Sequence, residues 1–323
     1  MESEFDIIRR YFTRPTKKAL LGIGDDAALI AFNATTDLAI STDTLVVGQH
    51  FFADADPYQL GHKALAVNLS DMAAMGAVPR WLTLAITLPK DTPQSNSAWL
   101  QAFAQGFFAL ADRYQVELIG GNTTSGPLNI CVQIIGEIAR NKALKRSNAQ
   151  PNDDIWVSGQ LGNAALALAH LKQQLVLSND ALGVCLPALH TPAARVELGQ
   201  HLTDLAHSAI DISDGLLADL GHILSNSNLA AVIELEAIPR SWVWKSYASH
   251  AQARDWLLSG GDDYELCFTA AEIKREKIQS LSEELAIPLT RIGKMLQGEG
   301  LSIVNSGGTV IEHVKKGYDH FLS

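Results

Sequence analysis

LLGIGDDAALI, residues 20–30, sets two adjacent carboxylates, Asp25 and Asp26, behind a Gly-x-Gly and inside an otherwise apolar run. The motif type returns as STDTLVV at 41–47, NLSDMAAMG at 68–76, IDISDGL at 210–216 and LSGGDDYELCF at 258–268. Two unit charges 4 Å apart interact by about 1 kcal/mol in water and about 4 kcal/mol at an effective dielectric near 20. Several carboxylates drawn into one partly buried place must therefore protonate or bind cations. Hard divalent cations with oxygen ligands suit this set, and no His/Cys cluster supports a softer metal.

Each motif has a plainer reading beside the chemical one. Asp214 before a helix is also an N-cap, and GGDD is also a turn. Asp43 lies within a strand, flanked by the hydroxyls of Ser41, Thr42 and Thr44. SGQLGNAAL at 158–166 is either an anion cradle at a helix N-terminus or a tight connection. GIGDDA fits G-x-G-x-x-A weakly, because two carboxylates would face the pyrophosphate and no clear strand precedes it. There is no G-x-x-x-x-G-K-[ST] and no protein-kinase lysine and catalytic-loop set.

The rest of the chain supplies ordinary globular material. Of 323 residues 47% are hydrophobic and 19% charged, enough for real cores, and the length favours two domains. A net charge of −10 disfavours nucleic acid as a partner. Cys131, Cys185 and Cys267 are far apart and form no C-x-x-C, which fits buried thiols in a reducing compartment. No run of about 18 apolar residues and no basic-then-apolar leader is present, so a cytoplasmic protein with no membrane segment is expected.

Apolar periodicity predicts helices over 4–12, 57–76 and 97–114, with strands over 38–47, 81–88, 116–121 and 128–139. The polar, basic stretch 141–153 reads as a linker. Beyond it the pattern predicts strands at 154–159, 208–213, 230–235, 264–269, 289–293 and 301–304. Helices are expected after Leu161 and over 192–207, 214–224, 250–258 and 272–286. The expected fold class is mixed α/β in two domains, 1–140 and 141–323.

GIGDDAAL, STDTLV-x-G-x-HF, KALAVNLSDMAAMGA, GGNTT-x-GP, AIDISDGL, SGGDDYELCF and KGYDHF, in that order from about residue 22 to 321, together resemble the thiamine-monophosphate kinases. That family sits in the wider group of aminoimidazole-ribonucleotide synthetase and selenophosphate synthetase. The resemblance implies that architecture, with an N-terminal domain that pairs through its sheet into a homodimer. The ATP and metal cleft is expected between the N- and C-terminal domains. It also implies transfer of the γ-phosphoryl group of ATP to thiamine phosphate with Mg²⁺, with no phosphoenzyme.

Carried over residue by residue, Asp26, Asp43, Asp71 and Asp211 match magnesium ligands, with Ser41 and Thr42 beside Asp43 and with Asp214 a further ligand. Gly121, Arg146 and Ser213 match nucleotide contacts; Arg146 is otherwise a solvated linker charge. His50, Asp262 and Tyr318 match substrate-side positions. The sequence departs from the family at Asn122, where Asp is usual, at Ser125, where Arg is usual, and at Asp262, where Glu is usual. An amide oxygen at Asn122 can ligate Mg²⁺ but brings no charge. The acceptor is already an ionised phosphate oxygen, so no general base is required. Two rivals are a selenophosphate-synthetase-like sibling, which would carry a reactive residue near the N-terminus where no cysteine precedes Cys131, and a non-catalytic Mg-nucleotide sensor, which would bind ATP without consuming it.

Overall fold

The computed structural model describes residues 4–21, 23, 29–31, 34–90, 93, 96–312 and 317. The chain divides into two compact units, one of residues 1–72 and 77–141, the other of 73–76 and 142–323. Both mix helices with sheet, as expected of the fold class.

In the first unit a short helix α1 (Glu4–Ile7) continues as a π-helical turn, Ile8–Phe12. A small pair follows, β1 (Ala19–Leu21) with β2 (Leu29–Ile30). Then come β3 (Thr36–Val46), α2 (Pro57–Met75), β4 (Val78–Leu88), α3 (Ser97–Tyr114), β5 (Glu117–Ser125) and β6 (Asn129–Ala139). The four longer strands form a sheet in the order β3-β6-β4-β5. Only β4 and β5 are parallel.

Alternation decides which face of this sheet is covered. Ala39 and Leu45 on β3 are buried, as are Ile130, Val132 and Ile134 on β6. Gly136 of β6 lies against the Met72 sulfur of α2, so α2 rests on that face. The opposite face carries Ile40, 59% exposed, with Thr42, Thr44 and Gln133. Helices α2 and α3 approach closely through Gly61 and Gly106, and Trp99 stacks on Phe103 at 5.3 Å. Residues 122–125, expected as loop after a strand over 116–121, are strand: β5 runs through them to Ser125.

The second unit contains β7 (Asp154–Ser158), α4 (Asn163–Leu171), α5 (Asn179–His190), α6 (Val196–Leu202), β8 (Ser208–Asp211), α7 (Leu216–Ser227) and β9 (Ala230–Glu234). It continues with α8 (Trp244–Tyr247), α9 (Ala253–Ser259), β10 (Leu266–Ala270), α10 (Arg275–Leu285), β11 (Leu289–Leu296) and β12 (Gly300–Val304). Its six-stranded sheet has the order β12-β9-β11-β7-β10-β8. Every pair is antiparallel except β12 with β9. β7 and β10 are buried along their whole length, and α4 and α7 bury apolar faces in the same core.

The helix expected over 192–207 is shorter, Val196–Leu202. After it the chain turns, and the His207 amide donates to the Thr269 carbonyl. α5 was not expected. Its interior Pro187 reads as a breaker, yet Ser178 caps its start by accepting from the Ala181 amide, and Cys185 and Leu189 anchor it in the core. Burial pushes the Cys185 thiol up to about 11 and the Cys267 thiol further still, so both are inert packing groups. Among the described residues no helix is long and apolar enough to cross a membrane.

Candidate active site

In the first unit the acidic group is built by strand alternation. Ser41 and Asp43 share the α2-facing side of β3 with Ala39 and Leu45. There the Ser41 hydroxyl donates to Asp71 Oδ2 of α2 at 2.5 Å, and both side chains are half-buried. Thr42, between Ser41 and Asp43, necessarily faces the other way, where Gln133 Nε2 donates to its hydroxyl at 3.4 Å. The structure therefore brings Ser41 and Asp71 together on the side that carries Asp43, and leaves the Thr42 hydroxyl on the open face.

Gly121 and Asn122 lie at the far edge of the sheet. Asp43 pairs with Val132, Val132 with Leu84 and Leu84 with Gly121, so Gly121 stands three strands away in the same row. Three strand spacings are about 14 Å. A Cβ at Gly121 would sit 1.9 Å from the Leu84 carbonyl oxygen, so only glycine fits there. Asn122 falls in the next row, with Ala85, Cys131 and Thr44, which places it on the open face.

His50 follows β3 in a tight turn. The Val46 amide donates to its Nδ1 at 3.0 Å. Accepting there puts the ring proton on Nε2, so the imidazole is neutral with a donor at its far end. Asp26 and Tyr318 lie outside the described residues.

In the second unit two loops meet beside the ends of β8 and β10. Asp211 closes β8 opposite Leu266 and is 5% exposed. Ser213 and Asp214 follow it, and Gly215 is the N-cap of α7 with no side-chain cap of its own. Asp214 is thus not the cap residue. Instead Asp219, one turn into α7 and 3% exposed, reaches back: its Oδ2 accepts from the amides of Ser213, Asp214 and Gly215, each at 3.1 Å. Burial, then the charges of Asp211 and Asp214, push the Asp219 carboxyl up to about 8 against the pull of the amides.

The GGDDY segment is laced to this loop. The Asp262 amide donates to the Ser213 carbonyl at 2.9 Å and the Tyr264 amide to the Ile212 carbonyl at 2.8 Å. Asp262 and Tyr264 both adopt left-handed backbone, φ +68° and +50°, a cost tolerated where the surroundings fix the chain. A Cβ at Gly261 would lie 2.4 Å from the Ser213 carbonyl oxygen, which is why the pair of glycines precedes the acids. The Tyr264 hydroxyl donates to Asp262 Oδ1 at 3.1 Å.

Asp263 turns inward. Both its oxygens accept from the Gly162 amide, at 2.9 and 3.0 Å. The start of α4 in SGQLGNAAL is therefore occupied by a carboxyl of the protein itself. Burial raises Asp263 well above the usual carboxylate range, with Glu265, Asp262 and Asp219 adding to it. Glu265, 6% exposed, accepts from Ser158 and from Arg195 through two guanidinium nitrogens. Arg146 is exposed, and its carbonyl accepts from Ser227 at the last turn of α7. Ser213 is at the other end of that 12-residue helix, about 18 Å away along the axis.

Sequence reasoning missed Asp219, Asp263 and Glu265 as organisers of these loops. The legible signal was Asp219 itself: an acid on the apolar stripe of α7, between Leu216, Leu220 and Ile223.

The donors suit magnesium. They are hard oxygens, the carboxylates of Asp43, Asp71, Asp211 and Asp214 with the hydroxyl of Ser41. Among the described residues no three His, Cys, Asp or Glu side chains converge to hold a metal by themselves.

Comparison with known proteins is consistent along the chain. Residues 24–138 match the N-terminal domain of AIR synthase related proteins and residues 150–305 the C-terminal domain. The thiamine-monophosphate kinase of Salmonella typhimurium is 48% identical over 99% of this chain and 98% of its own, and that of Bacillus subtilis is 32% identical over 98% and 99%. The crystal structure of thiamine-monophosphate kinase from Stenotrophomonas maltophilia superposes with a TM-score of 0.82 at 46% identity, covering 93% of this chain and 94% of that one. AaThiL complexed with AMPPCP and TMP superposes with a TM-score of 0.77 at 29% identity, covering 90% and 89%.

Proposed function

The chain belongs to the thiamine-monophosphate kinase family, and from that premise we propose how its residues carry out the family's reaction. The activity is ATP-dependent phosphorylation of thiamine phosphate, giving thiamine diphosphate and ADP. The observation that carries this is identity near one half, sustained over 99% of the chain, to kinases of that activity.

Asp43, Asp71, Asp211 and Asp214 are the groups that would hold magnesium, with Ser41 holding Asp71 in place. When bound, Mg²⁺ neutralises the phosphate oxygens so that donor and acceptor can approach. The protein's own part is to hold the groups in line and keep charge balanced, because phosphoryl transfer needs little covalent help. The Ser41 hydroxyl fixes one oxygen of Asp71. His50, with its proton on Nε2, donates to the substrate phosphate. Tyr264 holds the Asp262 carboxylate for the cationic thiamine ring system, and Ser213, Gly121 and Arg146 serve the nucleotide. No residue is asked to remove a proton.

The first unit, on this reading, also forms the homodimer. A second copy covers the open face of its sheet, where Ile40 is 59% exposed, so Thr42 and Asn122 face the partner. The protein works in the cytoplasm. A purified sample incubated with ATP, Mg²⁺ and thiamine phosphate is expected to yield thiamine diphosphate and ADP in equal amounts. ATP bound without product would defeat the reading, as would ADP formed without thiamine diphosphate.

A further inference from the structure

The start of α7 normally offers an anion site. Amides at a helix N-terminus lack intrahelical partners, and successive amides in such a turn form a nest that suits phosphate. Here the nest is already filled. Asp219 Oδ2 takes the amides of Ser213, Asp214 and Gly215 on one oxygen, and Gly215 supplies no cap of its own.

Two consequences follow from that arrangement. The amides are turned into the protein, so a nucleotide phosphate finds none of them to bind. The backbone between Asp211 and α7 is also fixed from three consecutive points, and the Asp262 amide holds the Ser213 carbonyl from the other side. Asp214 lies inside that clamp, and Asp211 lies two residues before it.

We infer that Asp219 is a positioning residue: an internal acceptor that closes the amide nest at the head of α7 and so presets Asp211 and Asp214 to receive a cation rather than leaving the loop to receive phosphate. The inference rests on the kinase reading above. It makes Asp219 an outer partner of the metal-binding carboxylates, a class of residue whose loss weakens metal affinity about 10- to 100-fold.

The test uses the purified full-length chain and its Asp219→Asn and Asp219→Ala variants, with Mn²⁺ binding followed by calorimetry in the presence of AMPPCP. Steady-state runs add the Mg²⁺ concentration at half-maximal rate and the KM for thiamine phosphate. Asp219→Ala is expected to weaken Mn²⁺ binding about tenfold or more and to raise the Mg²⁺ requirement in parallel, with KM for thiamine phosphate within about twofold. Asp219→Asn keeps an oxygen for the three amides and is expected to remain within about threefold of the parent. If the alanine variant does not fold, Asp219→Ser, whose oxygen is too short to reach the nest, carries the same expectation. A folded Asp219→Ala with parental Mn²⁺ affinity overturns the inference and leaves the kinase reading intact. An asparagine variant as impaired as alanine also overturns it, because charge rather than positioning would then be at stake. A parent protein that binds no Mn²⁺ overturns both.

Discussion

The Ser41 hydroxyl of β3 donates to the Asp71 carboxylate of α2 across 2.5 Å, joining two motifs thirty residues apart in the chain. One acidic motif thereby meets another through a neutral donor, so one oxygen of Asp71 is fixed while its charge remains. Ser41→Ala removes that donor. The Mg²⁺ concentration for half-maximal rate is expected to rise about tenfold, the lower end of the effect of losing an outer partner of a metal-binding carboxylate. Rate measured against Mg²⁺ concentration checks this, and an unchanged midpoint would count against the role of Asp71.

The Tyr264 hydroxyl does for Asp262 what Ser41 does for Asp71. A hydrogen bond to a charged group contributes about 1.5 kcal/mol or more, so Tyr264→Phe is expected to raise the KM for thiamine phosphate about tenfold. The KM for ATP and kcat should stay near parental values. A rise in the KM for ATP alone would move Asp262 to the nucleotide side.

Asp263 makes stability depend on pH. It lies half-buried on the Gly162 amide; desolvation there, then the charges of Glu265, Asp262 and Asp219, raise its folded pKa well above the unfolded value. Above about pH 4 the unfolded chain has released this proton and the folded chain has not, so stability falls as pH rises, by up to about 1.4 kcal/mol per pH unit from this group. Asp263→Asn removes the titration and keeps an oxygen for Gly162. Urea unfolding at pH 5 and pH 7 without divalent cations should show a smaller decline in the variant; equal declines would contradict the assignment.

Glu265 is 8% exposed at its side chain and held by Arg195 and Ser158. Arg195→Met keeps the aliphatic bulk and strands a buried carboxylate, which is expected to cost about 3–5 kcal/mol of stability. Denaturant unfolding measures it. A loss below about 1 kcal/mol would mean that water or another cation replaces the guanidinium.

How far the sequence carried the account differs between the two units. β3 was legible because β-branched and apolar residues surround its acids, and Asp43 and Ser41 fell on one face by simple alternation. The same alternation separates Thr42 from them, a distinction that spacing in a motif hides and a pleated strand enforces. Asn122 was expected in a loop because the polar NTTSGP, with Gly126 and Pro127, follows the apolar run; pairing with β4 makes it strand, since Gly121 lets β5 pass close to the Leu84 carbonyl. α5 was hidden by Pro187, whose cost is met by tertiary packing around Cys185 and Leu189. The roles of Asp219 and Asp263 were out of reach because they depend on which backbone amides fold back onto them, and amides leave no trace in side-chain patterns.

The most direct test of the central claim, that carboxylates of this chain hold the magnesium that brings two phosphates together, is thiamine diphosphate formation by the parent protein and by Asp43→Ala, each with Mg²⁺ and with EDTA. The account predicts product only from the parent with Mg²⁺, with the variant reduced about a hundredfold or more at the same Mg²⁺ concentration. Parental rates from Asp43→Ala, or undiminished turnover in EDTA, would contradict it.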